Sequence, residues 1–545
     1  MLGRLSCALL CCAAAFGCSD DSDVAAVPPD AREADAPLPE ASLPDASADA
    51  GADVAGGDSA AGKDGGEKDA AAEADAPTTD AADHDDAADA APLTIRVTSY
   101  DRQPMVVDIG IVGAPASDVS CELAADPGVR IQKTGVAALQ TRCRLRGLRP
   151  GSSHRATVRH GNEVVDVDFT TPAALPGFVQ SFSLESNGTP APGLRIFDMS
   201  SSPDNRDSSL FAVDTAGVTR FYVGHPNNAK SAPERLPTGV KLLDDGTLTF
   251  TQGYDFYVLD EFGDEALKLS ARTLGVAALH HDVIPMPNGN FVALAWEFRD
   301  VVIPGQTQTS TVLGDKLIEF TRAGSVVWSW SALDNLDLAR QRLFSDRTVE
   351  DPTRPGVFGR DWTHGNAVVY SAADDSLLVS LRHQDFLVKI RRSDGKIVWR
   401  LGDGGDFTLG AGDWFFHQHS PEWQKDGSLL VYDNGNGNPN VPVADLRTRV
   451  LHLELDEAAH TATILHELRT DDYFQTFAGD ADRLSNGNVL VTDAQVTTGA
   501  DQGSARITEA ELATNRVIWR LRAKAKVIFR CTPVTRLPGE SANGG

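Results

Sequence analysis

From about Pro190 onward the chain repeats one short motif six times, and this repetition constrains the fold more than any other feature. The motif is a strand, a tight turn and a second strand. It runs from Leu210 to Phe221 around Gly217, Phe256 to Leu267 around Gly263, Leu317 to Trp328 around Gly324, Val388 to Trp399 around Gly395 and Ile507 to Trp519 around Asn515. A looser copy spans Val450 to Leu468. A second motif, a turn pair followed by an apolar strand, precedes most copies: Asp244-Asp-Gly246, Pro287-Asn-Gly289, Lys425-Asp-Gly427, Ser485-Asn-Gly487 and, less cleanly, Asp374-Asp-Ser376. Turn residues bounding short apolar runs, without helical periodicity, predict β-hairpins. Hairpins recurring at roughly 45–70 residues predict a β-propeller of six blades rather than a β-helix, whose repeats are shorter and more uniform. Three copies place a Trp four residues after the turn residue, read here as packing between blades.

Upstream, Leu93 to Pro172 alternates short apolar segments with turns (Leu93–Val97, Met105–Ile111, Val129–Gln132, Ala156–Arg159, Val164–Phe169), the pattern of a small Ig-like or fibronectin-III-like β-sandwich. Leu148-Arg-Pro-Gly-Ser-Ser-His154 resembles the strand-entry corner of fibronectin type III modules, with His154 where Tyr is usual. Residues 19–92 carry 21 acidic and 3 basic residues, no aromatics and almost no large aliphatics. Such a tract cannot bury enough surface to offset its ordering entropy, and it is expected to be a disordered acidic tether. Residues 1–18 have one early cation, Arg4, then a short apolar stretch ending Ala15-Phe16-Gly17-Cys18, which resembles a bacterial lipoprotein signal with Cys18 as the lipidated residue. The expected organisation is therefore signal 1–18, tether 19–92, sandwich 93–172 and propeller 173–545, an envelope lipoprotein exported to face the periplasm or the cell exterior. Cys121 and Cys143 are expected to pair there, and Cys531 to be a buried thiol. The formal net charge is −28 with no basic stripe, which excludes a nucleic-acid partner. No apolar run long enough to span a bilayer follows the N-terminus.

Six of the thirteen histidines lie between His280 and His419. His281 and His419 each stand eight residues before a turn glycine (Gly289, Gly427), and His364 stands about ten before Asp374; Gly479 fills the slot in the last repeat. Equivalent positions in a propeller converge on its axis, so three imidazoles are expected to meet at the channel mouth. Arg382, in Ser380-Leu-Arg-His-Gln384, falls among apolar strand residues and is expected to meet an anion. His280, His383 and His417 alternate with these candidates and are expected to be supporting or structural.

Four ordered pieces resemble the bacterial arylsulfate sulfotransferases, which do not use the nucleotide sulfate donor: His280-His-Asp-Val-Ile-Pro-Met-Pro-Asn-Gly289, Asp361-Trp-Thr-His-Gly-Asn366, Ser380-Leu-Arg-His-Gln384, and Gln418-His419 leading to Tyr432-Asp-Asn-Gly435. The resemblance covers roughly Leu93 to Pro533. It implies a six-bladed propeller behind a β-sandwich, and sulfuryl transfer from an aryl sulfate ester to a phenol by a ping-pong reaction through a sulfohistidine. It puts His419 in the nucleophile's place and His281, His364, Asn366 and Arg382 in those of the other active-site residues. The chemistry requires no cofactor and no metal: an imidazole can be the nucleophile, Arg382 with Asn366 and a histidine can meet the sulfuryl oxygens, and His281 or His364 can carry the phenolic proton. Two other readings stand beside it. Three histidines can hold zinc with an open position, although Arg382 would repel the ion. A surface propeller lipoprotein can also bind a ligand or protein without catalysis. The physiological donor and acceptor and the oligomeric state are not legible.

Overall fold

The computed structural model describes residues 93–174, 182–201, 208–224, 236–342 and 347–542. The expected signal 1–18 and tether 19–92 lie outside the described residues. Within them the chain is all-β, with eight sheets and a single α-helix of four residues, Ala332–Asn335.

Seven strands between Thr94 and Thr170 make two of these sheets. One orders Thr94–Ser99, Val106–Val112, Gln140–Arg146 and Arg130–Ala137; the other orders Val119–Glu122, Ser153–His160 and Glu163–Thr170. Ile109, Cys143, Leu145, Ala156 and Val158 share one apolar cluster between them. The Cys121–Cys143 disulfide ties one sheet to the other, as expected. Both cysteine strands, Val119–Glu122 and Gln140–Arg146, escaped the sequence reading because charged and polar residues interrupt their apolar runs. In Gln140–Arg146 the alternation is real: Cys143 and Leu145 face inward, while Arg144 and Arg146 reach Glu261 in the repeat region, at 2.6 and 2.5 Å. At the proposed corner, the His154 ring bonds the carbonyl of Arg149 at 3.2 Å.

The repeats form the other six sheets. Every hairpin expected from sequence is an antiparallel pair of strands, among them Ser209–Asp214 with Thr219–Gly224, Phe386–Arg391 with Ile397–Leu401, and Ser504–Ala510 with Val517–Lys524. The turn pairs join the first and second strands of their sheets, as between Leu279–Pro285 and Phe291–Val302. Each sheet shares an apolar cluster with the next. The last also packs on the first, where Trp519, Ile507 and Leu490 meet Phe197, Phe211 and Met199. First strands lie side by side: Thr238–Leu242, Leu279–Pro285, Gly365–Ser371, His419–Trp423 and Asp480–Arg483. The two ends of the region interlock. Phe182–Ser186 pairs with Val517–Lys524 in the last sheet, and Cys531–Val534 pairs with Leu194–Ser201 in the first.

Of the three turn-linked tryptophans, Trp399 and Trp519 are fully buried between sheets, and Trp328 is half-buried. Cys531 is buried, and burial pushes its thiol well above the usual range. The hairpin Phe291–Val302 with Thr309–Phe320 pairs out to Val302, and Thr348–Glu350 pairs with Phe358–Asp361.

Candidate active site

The first strands of four neighbouring sheets share a defect. Pairing slips in Thr238–Leu242, Leu279–Pro285, Gly365–Ser371 and His419–Trp423, each time near the start of the strand. A bulge re-aims side chains and ends regular pairing, and here it coincides with the histidines. His281 (φ 55°) and His364 (φ 47°) occupy left-handed backbone, which is costly for a side chain with a Cβ. Counted by strand pairing, the three histidines are not in one register as the spacing implied. His280 and His419 are the last paired residues before their bulges, so His281 follows that position, and His364 precedes the corresponding Gly365. The bulges make up the difference. Gly479, in the last repeat's slot, has no room for any side chain: a Cβ there would lie 2.2 Å from the Tyr432 ring.

His364 and Arg382 are brought together through His383. The His364 Nδ1–H donates to Asp361 Oδ2 at 2.6 Å, and its ring stacks on His383 at 4.4 Å between centroids. Burial raises the Asp361 pKa, but the His364 ring, through its charge and its hydrogen bond, outweighs burial, and the carboxyl is drawn down to about 2. Arg382 Nη1 donates to His383 Nε2 at 2.9 Å, which leaves the His383 proton on Nδ1, where it donates to the Asp361 carbonyl at 2.7 Å. Burial pushes His383 well below the usual histidine range, so it is neutral. Arg382 lies in a short 3-10 turn, Arg382–Gln384, at the tip of a hairpin rather than inside a strand. Its Nη2 donates to the carbonyl of Thr476 at 3.1 Å.

A second arm carries His281. Its Nδ1 lies 2.7 Å from His280 Nδ1, and His280 Nε2 lies 3.1 Å from Asp315 Oδ1. A carboxylate only accepts, so His280 carries its proton on Nε2 and accepts from His281 Nδ1–H through Nδ1. The His281 lone pair is then on Nε2. Burial opposes ionisation of Asp315, but the hydrogen bonds from His280, Thr363 and Gly365 hold its carboxyl below the ordinary range. Thr363 Oγ1 and the Gly365 amide both reach Asp315 Oδ2 at 2.5 Å, so this one carboxylate braces His280 and the backbone on either side of His364. Gly365 permits the approach: a Cβ there would lie 2.8 Å from the carboxyl carbon. The His281 and His364 rings meet edge-to-face at 5.0 Å, and Phe529 closes on His281 at 5.7 Å.

His419 is wholly buried, and its Nδ1 lies 2.6 Å from Asn434 Oδ1. The Asn434 amide is oriented by its own Nδ2, which donates to the carbonyls of Gln475 and Ala478, both at 3.0 Å. The oxygen therefore faces the ring, the His419 proton sits on Nδ1, and Nε2 carries the lone pair. Asn366 Nδ2 donates to the carbonyl of Gln418 at 2.8 Å, which makes it a brace for the residue before His419. The segment 475–478 thus anchors Arg382 and, through Asn434, His419.

All five sequence candidates, His281, His364, Asn366, Arg382 and His419, are buried around these linked contacts. His280 and His383, expected to be supporting, prove to be direct neighbours of His281 and of His364 and Arg382. His417 holds Asp385, with Nδ1 at 3.1 Å from the carboxylate. Sequence reasoning assigned no part to Asp315, Asp361, Asn434, Phe529 or Arg530. Asp361 and Asn434 stood inside quoted motifs, whereas Asp315 and Arg530 carried no signal. Among the described residues, the ligand atoms close enough for one metal ion belong to Asp361, His364 and His383, not to His281, His364 and His419. Both ring nitrogens of His383 are engaged, one of them by a guanidinium, so the trio does not fit a cation without dismantling the Arg382 contact.

Comparison with known proteins agrees with the motifs. The chain is 26% identical over 334 residues to the arylsulfate sulfotransferase AssT of Escherichia coli, covering 50% of this chain and 53% of that one. It is 27% identical over 305 residues to that of Lelliottia amnigena, covering 46% and 49%. The chain thus spans about half the length of the curated relatives it matches. Among solved structures, a protein of unknown function from Bacteroides caccae overlaps 64% of this chain and all of its own length, with 13% identity and a TM-score of 0.41; a likeness of that degree fixes neither fold nor function. The arylsulfotransferase (ASST) family model matches residues 185–530, a span holding all five candidate residues, and the chain belongs to that family.

Proposed function

We propose that this protein transfers a sulfuryl group from an aryl sulfate ester to a phenol in two displacements, with His419 as the nucleophile, and that its six repeat sheets are the blades of a β-propeller behind an Ig-like sandwich. One observation carries the reading: a histidine with an assigned Nε2 lone pair, a buried guanidinium, an imidazole on a carboxylate and a second imidazole on the His280–Asp315 pair lie within one linked network. In the first displacement His419 Nε2 bonds to sulfur as the sulfur–oxygen bond to the aryl group breaks. The departing phenolate takes the proton that His364 holds on Nε2 when charged, and Asp361 stabilises that charge. In the second, the acceptor phenol gives its proton to His364, its oxygen bonds to sulfur, and the nitrogen–sulfur bond breaks. Arg382 meets the charge on the sulfuryl oxygens. His281, held on the His280–Asp315 pair, is the second proton carrier. We further propose that the chain is exported and held in the cell envelope by a lipid on Cys18.

Full-length protein incubated with a chromogenic aryl sulfate is expected to release the chromophore only when phenol is added, with or without a chelator. Mass spectrometry after donor alone is expected to place one added sulfuryl group on His419. Release by His419→Ala, or no release with any donor and acceptor pair, would overturn the reading.

A further inference from the structure

Residues 475–479 belong to no strand or helix, yet all five of their carbonyls are held. Asn434 Nδ2 donates to the carbonyls of Gln475 and Ala478, both at 3.0 Å. Arg382 Nη2 and Asn436 Nδ2 donate to that of Thr476, at 3.1 and 3.0 Å. Gln475 Nε2 donates to that of Phe477, and Ser420 Oγ to that of Gly479 at 2.9 Å. Irregular backbone in an interior must find partners for its polar groups, and here side chains supply every one. Within the segment Ala478 takes left-handed backbone (φ 49°), which persists only where the surroundings over-determine it. A segment tied down at each residue keeps whatever it displays in one place.

What it displays is one aromatic ring. Gln475, Thr476, Ala478 and Gly479 are buried, and Phe477 alone of the five is partly exposed. Phe477 follows the carbonyl that fixes Arg382 and precedes the carbonyl that fixes Asn434, the partner of His419. Consecutive Cα atoms stand about 3.8 Å apart, so the ring is rooted between the anchors of the guanidinium and of the nucleophile. It packs against a cluster of Leu236, Ala478, Ala494, Val527 and Phe529, and the Phe529 ring lies 5.7 Å from that of His281.

An aryl sulfate and a phenol share one part, an apolar ring that gains by leaving water and by meeting another ring. We propose that Phe477, backed by the Phe529 cluster, is the specificity-determining wall against which the aryl ring of donor and acceptor lies, and that it selects aromatic over saturated substrates. The two displacements share one nucleophile, so one wall serves both rings. The inference rests on the sulfotransferase reading for the words donor and acceptor, but the preference for an aromatic ring is measured without turnover.

The probes are benzenesulfonate and cyclohexanesulfonate, alike in size and charge and different in aromaticity. Their carbon–sulfur bonds keep them from acting as donors. Each is titrated calorimetrically against the full-length protein and its Phe477→Leu and Phe477→Tyr variants. Leucine keeps an apolar side chain on the cluster, and tyrosine keeps the ring. Wild type is expected to bind benzenesulfonate more tightly than cyclohexanesulfonate. Phe477→Leu is expected to lose about two- to tenfold of that preference by weakening benzenesulfonate alone, and Phe477→Tyr to retain it. In turnover, Phe477→Leu should raise KM for aryl sulfate and for phenol together, with kcat unchanged. The same preference in wild type and Phe477→Leu, equal weakening of both probes, no binding of either probe to wild type, or a fall in kcat at constant KM overturns the wall. Transfer by wild type in any of those cases leaves the sulfotransferase reading standing. A ring preference that depends on Phe477 in a protein that transfers nothing supports the wall as a site for aryl anions and overturns that reading instead.

Discussion

An imidazole offers a substrate whichever nitrogen its other nitrogen's partner leaves over. At His419 the partner is Asn434, whose oxygen is turned to the ring by two backbone carbonyls. Asn434→Leu keeps the volume and removes the acceptor, so the ring loses its assigned tautomer. Turnover is expected to fall on the order of 10²-fold or more with little change in KM; steady-state kinetics with aryl sulfate and phenol would show it, and unchanged kcat would sink the assignment. At His364 the partner is a carboxylate, and the consequence appears in stability as well. Asp361 is fully buried with its pKa drawn from an ordinary 3.8 to about 2. A carboxyl depressed on folding favours the native state above its unfolded value, and that contribution is lost as pH falls through the folded value. Wild type should therefore exceed Asp361→Asn by about 2 kcal/mol near neutrality, with the gap closing between roughly pH 4 and pH 2. Denaturant titrations of both proteins across that range would reveal a gap that fails to close. The five candidates were legible because histidine and arginine are conspicuous in apolar strands and recur near turn glycines. Their partners were not. A buried Asp315 on the third strand of its repeat looks in sequence like any surface aspartate, and only folding shows that Thr363, Gly365 and His280 converge on it.

At the scale of the element, the hairpins were readable because a strand–turn–strand unit repeats its hydrophobic period, but the devices joining neighbouring sheets were hidden. In the third sheet the turn residues Asn288 and Asn290 both donate to Glu319 Oε1, at 2.8 and 2.7 Å, while the other oxygen of Glu319 meets Arg392 of the next sheet. In the sixth, Asn486 and Asn488 donate to Glu509 Oε1, at 2.8 and 2.7 Å, while Oε2 meets Arg195 of the first sheet at 3.0 Å. Each glutamate pairs in register with the turn-linked tryptophan, Trp328 or Trp519. The fourth sheet inverts the device: Lys389, opposite Trp399, reaches Asp374 at 2.8 Å and Glu457 of the fifth sheet at 2.7 Å. The Asn-Gly-Asn turns thus do more than reverse the chain. They orient a carboxylate that clamps the next sheet. The two clamps should differ in strength. Glu509 and Arg195 are both within about 1% of complete burial, whereas Arg392 is one-fifth exposed and also holds Asp375. Removing one partner of a fully buried pair leaves an uncompensated charge, so Glu509→Ala is expected to cost about 3–5 kcal/mol. Glu319→Ala is expected to cost about 1–2 kcal/mol. Equal losses in equilibrium unfolding would mean that burial does not set the strength of these clamps.

For the molecule as a whole, the last twenty residues matter out of proportion to their number. Cys531–Val534 completes the first sheet, Phe529 closes on His281, and Arg530 donates to Asp282 at 2.8 Å and to the carbonyl of Asn366. The C-terminal segment therefore joins sheets formed by the beginning of the repeat region to the residues of the candidate site. Val527, Ile528, Phe529, Cys531 and Leu537 are all buried. At about 1.5–3 kcal/mol for each large apolar side chain, their removal amounts to roughly the entire stability of an ordinary domain, about 5–15 kcal/mol. It also leaves Asp282 without its guanidinium in the interior. A chain ending at Ala525 is accordingly expected to show no cooperative unfolding transition and no phenol-dependent release. A chain starting at Leu93 lacks the short apolar stretch of residues 1–18 and a tract, 19–92, whose composition offers no core, and it is expected to unfold at the same denaturant concentration as the full-length protein. Circular dichroism of the two truncations during urea titration separates the outcomes. If the chain ending at Ala525 kept the full-length midpoint, the two ends would be adjacent strands rather than an interlock. The placement of Phe529 and Arg530 against the histidine network would then be incidental to the fold.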